Sequence, residues 1–139
     1  MSKILAIDDE PALLHLFRAA LVYRGHEVFA SGTLDEALRI LRTESIDLVM
    51  LDIHMPQKSG FEIYREIRQR TAVPVLFVTG DPRAFTDPSR PGARILQEEV
   101  AKGNAGVLFK PFDVPTLYRK TEELLHRKDG AAVESAPPG

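Results

Sequence analysis

Five short apolar runs constrain this chain more than any other feature: residues 4–7, 27–30, 48–51, 75–78 and 106–109. Three of them, ILAI, LVML and VLFV, contain no polar residue at all. A strand with one face in water alternates apolar and polar side chains, so an unbroken run implies that both faces are covered. That is the condition of a parallel sheet between two layers of helices. The intervening segments supply the helices. Pro11 suits the first turn of a helix whose Leu13, Leu14, Phe17 and Leu21 form one stripe before Gly25 ends it. Thr33 and Glu36 have capping-box spacing at the start of a second helix, which buries Ala37, Leu38 and Leu41. A third follows Ser59 and Gly60 and carries Phe61, Ile63, Tyr64 and Ile67. A fourth, weaker in pattern, spans residues 95–102 and closes at Gly103; a fifth spans residues 114–127 with Leu117, Thr121, Leu124 and Leu125 on its packing side. Five successive β-α units with right-handed crossovers make an α/β, doubly wound, five-stranded parallel sheet with helices on both faces.

The 139 residues, 44% hydrophobic and 27% charged, suit one globular domain with a real core and leave no room for a second. The domain is expected over residues 1–128, and residues 129–139, rich in Ala, Pro and Gly, read as a disordered C-terminal tail. A formal net charge of -2 without a Lys/Arg-dense stretch argues against direct nucleic-acid binding. With no cysteine there is no disulfide framework, no thiolate nucleophile and no Cys-type zinc site, a composition compatible with the cytoplasm. The first residues lack a signal-peptide pattern, and no apolar run approaches the ~20 residues of a membrane span.

Chemistry concentrates where the runs end. Asp8 and Asp9 follow the first, Asp52 the third, Thr79 the fourth and Lys110 the fifth. In open α/β sheets the carboxyl ends of the strands are where ligands bind. Each residue also has an ordinary reading. The acids after the first strand could cap a helix and complement its dipole, Thr79 could be a β-branched strand residue, and Lys110 a solvated surface lysine. Together they are harder to explain that way, because two like charges ~4 Å apart repel by roughly 4 kcal/mol at an effective dielectric of ~20. A hard divalent cation with oxygen ligands relieves such repulsion.

These residues resemble the receiver domain of two-component response regulators, a flavodoxin-like fold with strand order 2-1-3-4-5. The resemblance covers residue 3 to about residue 127 and rests on four segments in order. These are Asp8-Asp9-Glu10, the run Asp52-Ile53-His54-Met55-Pro56-Gln57-Lys58-Ser59-Gly60, Thr79-Gly80, and Lys110-Pro111-Phe112. It implies that Asp52 accepts a phosphoryl group from a histidine kinase or a histidine phosphotransfer protein. It also implies that Asp8, Asp9, Asp52 and the backbone carbonyl of His54 hold Mg²⁺ or Mn²⁺, with Asp8 acting mainly through a bound water. Thr79, Gly80 and Lys110 would receive the phosphoryl oxygens, Gly80 by leaving room for close backbone approach. His54 and Asp81 would flank the path of hydrolytic water and tune phosphoryl lifetime, although a lone histidine two residues past a strand is ordinarily a solvent-edge side chain. Such a chain is not an enzyme beyond its own phosphorylation and dephosphorylation. It is a cytoplasmic signalling switch with a downstream protein target, no membrane contact and a homodimer linked to phosphorylation among its implied partners.

Two departures bear on output. Val107 stands where the family usually has an aromatic residue, and residues 81–94, with Pro82, Pro88, Pro91 and Gly92, make the stretch from Thr79 to Lys110 longer than usual. Long loops of this kind are commonly functional, so the segment is expected to form part of the partner surface. Three other readings stay open at this point. One is a receiver-fold interaction scaffold that is never phosphorylated. A haloacid-dehalogenase-type phosphatase would need a second acid two residues after Asp52, where His54 stands. A flavodoxin-like cofactor binder would need a phosphate loop after the first strand.

Overall fold

An apolar run sandwiched between helices points its alternate side chains into two separate cores, and this chain does so in every central strand. The computed structural model describes residues 2–55, 58–90 and 92–134, with side chains described through residue 126. Its strands are β1 (Lys3–Ile7), β2 (Glu27–Ser31), β3 (Leu48–Asp52), β4 (Val75–Thr79) and β5 (Ala105–Phe109), all parallel in the order β2-β1-β3-β4-β5. The helices are α1 (Pro11–Tyr23), α2 (Leu34–Thr43), α3 (Gly60–Arg68), α4 (Arg83–Thr86), α5 (Ala93–Ala101) and α6 (Val114–Glu134). On one face Ile4, Ala6, Leu48, Met50, Leu76 and Val78 pack against Phe17 and Leu21 of α1 and Leu117 and Leu124 of α6. On the other, Leu5, Ile7, Val49, Leu51, Val75 and Phe77 meet Ala37, Ile63, Ile67, Phe85 and Leu96 from α2 to α5. Burying each large side chain contributes roughly 1.5–3 kcal/mol, so the central strands anchor the sheet from both sides.

The helix ends follow local chemistry with some differences from expectation. α1 starts at Pro11 and ends at Tyr23; Gly25 follows with its N–H on the Val22 carbonyl at 2.9 Å, and its φ of +90° turns the chain so that the His26 N–H reaches the Leu21 carbonyl at 3.1 Å. At α2 the Thr33 hydroxyl accepts from Glu36 N–H at 3.3 Å, but the Thr33 N–H donates to Ser31 Oγ, so the reciprocal half of a capping box is missing. The complete capping box is at Ser59 and Glu62, opening α3. Leu38 is half-buried and stays out of the core cluster; Leu34, Ile40 and Leu41 pack against it instead.

The long segment after β4 is not irregular throughout. It folds into the single turn α4, and α5 begins at Ala93, ahead of the expected residue 95. Phe85 of α4 inserts between Phe77 (5.7 Å between ring centroids) and Phe109 (6.4 Å), and the Gln97 side-chain amide donates to the Phe85 carbonyl. Gly92 lies at φ +78°, and a Cβ there would fall 2.3 Å from the Phe61 ring. α6 runs past the expected residue 127 to Glu134. Pro56 and Gln57 of the Asp52 segment, Pro91, and residues 135–139 of the expected tail lie outside the described residues. Among the described residues no helix is long and apolar enough to cross a membrane.

Candidate functional site

Register alone brings the strand-end residues together. Asp52, the last residue of β3, pairs with Val78, and Thr79, the last of β4, pairs with Phe109. Asp8 follows β1 with its N–H on the Ser31 carbonyl at 3.0 Å, and the Lys110 N–H reaches the Thr79 carbonyl at 2.8 Å. Asp8, Asp9 and Asp52 thereby each place a carboxylate oxygen within 4.8 Å of the others; Asp8 and Asp52 are buried and Asp9 is exposed. Lys110 Nζ sits 4.0 Å from Asp8 Oδ2, 3.9 Å from Asp52 Oδ2 and 3.8 Å from Glu10 Oε1. One ammonium is shared among three carboxylates.

That charge balance is short of cations. Burial raises the Asp8 carboxyl from its ordinary 3.8 to about 6, with the Asp52 charge adding to the effect; the Glu10 N–H on Asp8 Oδ1 and the Lys110 charge work against it. Asp8 Oδ2 is buried without a hydrogen-bond partner. A buried, unpartnered carboxylate oxygen beside two further carboxylates is what a hard, oxygen-seeking cation fits. Asp52 Oδ1 accepts the His54 N–H at 3.0 Å, leaving Oδ2 on the Lys110 side.

The residues around Thr79 are more closely connected than their spacing suggests. His54 is exposed as a residue, yet its Nε2 lies 3.0 Å from Thr79 Oγ1, so the ring is more than a solvent-edge side chain. The same hydroxyl accepts from Asp81 N–H (3.0 Å) and lies 3.2 Å from the Asp81 carbonyl. A hydroxyl has one proton. Whether that proton points to His54 or to Asp81, it is in use and must be redirected before Thr79 can donate to an incoming oxygen. A Cβ at Gly80 would meet Lys110 Cβ at 3.8 Å, an ordinary contact. The Lys110–Pro111 peptide is cis. Residue spacing did not point to Glu10 on Lys110 or to Arg83 and Arg90 on Asp81. Glu10 directly follows the acid pair, which was a usable signal; Arg90 had none.

A description of the response regulator receiver domain matches residues 4–122. The chain belongs to the response regulator receiver family. Among its relatives, the probable transcriptional regulator ycf27 of Porphyridium aerugineum is 32% identical over 98% of this chain and 53% of its own length. The KDP operon regulator KdpE of Escherichia coli is 32% identical over 91% of this chain and 52% of its own. The chain therefore spans about half the length of the curated relatives it matches. Among solved structures, a receiver domain protein from Clostridium thermocellum superposes with a TM-score of 0.75 at 33% identity, covering 93% of this chain and 98% of that one. The regulator TrrA of Thermotoga maritima, solved with Mg²⁺ and BeF, gives a TM-score of 0.71 at 28% identity, covering 89% of this chain and 99% of that one. Phosphorylation on an aspartate is the general function of the family, and receivers bind Mg²⁺ at an acidic pocket; this chain has an acidic cluster of Asp8, Asp9 and Asp52. Receivers are typically not enzymes, and the phosphatase and cofactor-binder readings lose their support.

Proposed function

We propose that this receiver is phosphorylated on Asp52 and works as a signalling switch. The observation that carries the reading is the convergence of three carboxylates and Lys110 at one sheet edge, with Asp52 Oδ2 3.9 Å from Lys110 Nζ. Asp52 Oδ2 would form the bond to phosphorus as the bond to the donor breaks, the leaving group keeping its electron pair. Phosphoryl transfer passes through a loose transition state with charge on the equatorial oxygens, so positioning and neutralisation dominate. Lys110 moves from its three carboxylates to a phosphoryl oxygen, and the Thr79 hydroxyl turns from His54 or Asp81 to another. Asp8, Asp9, Asp52 and the His54 carbonyl would hold Mg²⁺, or Mn²⁺ in its place; bound there, the ion would neutralise part of the phosphoryl charge. His54 and Asp81 would set phosphoryl lifetime, a reading supported by the contact each makes with the Thr79 hydroxyl.

The donor is a sensor histidine kinase or a histidine phosphotransfer protein in the cytoplasm, and the output is a protein contact, including a homodimer, with no nucleic acid bound by this domain itself. The phosphoryl group adds about -1.5 to -2 charges beside Thr79. That is the perturbation the β4–α5 segment would read. The test is intact-protein mass after incubation with acetyl phosphate and Mg²⁺, beside Asp52→Asn and a chelated sample. A phosphoryl adduct that requires both Asp52 and metal is expected, and its absence under every condition would leave the unphosphorylated scaffold standing.

A further inference from the structure

Asp81 carries four hydrogen bonds on its carboxylate. Oδ1 accepts from Arg83 N–H and Arg83 Nε, each at 3.0 Å, and Oδ2 accepts from Arg83 Nη2 and Arg90 Nη2, each at 3.3 Å. A carboxylate has about four lone-pair sites, so none remains for water. Arg90 is itself steadied by Asp87, 3.8 Å from its Nε, while Asp87 Oδ1 is occupied by Ser89 N–H and Oγ. The arginine comes from the far end of the long β4–α5 segment. It reaches back to line, with Ile53, His54 and Ala84, a cavity of about 440 Å³ beside the β3–α3 loop.

We propose that Arg90 and Arg83 are positioning residues that saturate the Asp81 carboxylate and so prolong the aspartyl phosphate. The inference rests on Asp52 as phosphoacceptor. In hydrolysis a water oxygen bonds to phosphorus and the bond from phosphorus to Asp52 Oδ2 breaks, returning its electron pair to the carboxylate. A water proton must then be accepted and ends on inorganic phosphate or solvent. Asp81 is tied through its backbone N–H and carbonyl to the Thr79 hydroxyl, the group proposed above to receive a phosphoryl oxygen. Free, its carboxylate could take that proton. Held by two guanidiniums its lone pairs are engaged, and the Arg83 hydrogen bonds foremost lower its pKa to about 2, making it a poor base. The ion pairs are partly exposed, so their stabilising effect is small; their consequence is where the carboxylate points and what it can accept.

The experiment loads each protein with acetyl phosphate and Mg²⁺, removes the donor, and follows loss of the adduct by intact mass. Arg83→Gln/Arg90→Gln is expected to lose phosphate about tenfold faster, below the ~10²-fold of a fully positioned general base. Its rate of acquiring phosphate should stay close to that of the parent, Arg90→Lys should restore much of the lifetime, and in an Asp81→Asn background the arginine changes should add nothing. Unchanged or slower loss in the double variant, or acceleration that persists with Asp81→Asn, would overturn the clamp while leaving Asp52 as acceptor. Failure of the parent chain to label at all would overturn both.

Discussion

Asp8→Asn should make this receiver more stable at neutral pH in the absence of divalent metal. The Asp8 carboxyl is raised from 3.8 to about 6, chiefly by burial. At 1.36 kcal/mol per pH unit this corresponds to about 2–3 kcal/mol against the charged form. The sign follows from proton uptake. Between pH 6 and 3.8 the folded chain binds this proton more tightly than the unfolded chain, so folding is favoured as pH falls through the window and the full penalty is present above pH 6. Asparagine removes the charge and keeps an oxygen for the Glu10 N–H. The attraction to Lys110 at 4.0 Å, lost with the charge, is already included in that net rise. An increase of about 2 kcal/mol is expected at pH 7, or roughly 6 °C in midpoint for a domain of this size. Urea and thermal unfolding of both proteins from pH 4 to 8 in chelator would measure it, and the gain should shrink towards zero by pH 4. Saturating Mg²⁺ should reverse the ranking, because the ion stabilises only the folded chain that can hold it. A variant no more stable than the parent at pH 7, or a gain independent of pH, would refute the reasoning.

Two further outcomes follow from positions away from the acids. Gly92→Ala combines a φ of +78° with a Cβ only 2.3 Å from the Phe61 ring, so it should cost about 1–3 kcal/mol and speed amide exchange in α5, read by urea unfolding and hydrogen exchange. His26 has both ring nitrogens buried without partners, and burial lowers its affinity for a proton, with Glu122 opposing and Arg24 assisting. The unfolded chain then binds that proton first, so stability should fall as pH drops below 6.5, opposite in sign to Asp8. In an Asp8→Asn background, His26→Leu should flatten that slope; an unaltered slope would show that another group produces it.

Much of the site was legible because it lies at strand ends. An apolar run bounded by Asp8, Asp52, Thr79 or Lys110 places its last side chain at the sheet edge whatever the helices do, and a period of two sorts Ile4 and Leu5 into opposite cores without reference to loops. The strand order came from the family resemblance, since periodicity says nothing of which strand lies beside which. What the tertiary structure alone decided depends on where side chains and loops reach. The Ser31 hydroxyl sits close enough to Thr33 to displace the second half of a capping box, an arrangement no i, i+3 pattern reveals. Long, flexible side chains from Glu10 and Arg90 find Lys110 and Asp81 only because register and the turn of α4 bring their backbones within range. Composition suggested a disordered tail from residue 129; a helix already extended from Val114 needs only one more backbone hydrogen bond per residue to run on to Glu134, and Ala131 and Ala132 favour it. The sequence by itself determined which atoms meet at the sheet edge; packing decided which of those atoms are already engaged, because hydrogen-bond capacity is consumed by neighbours that only the folded chain brings close.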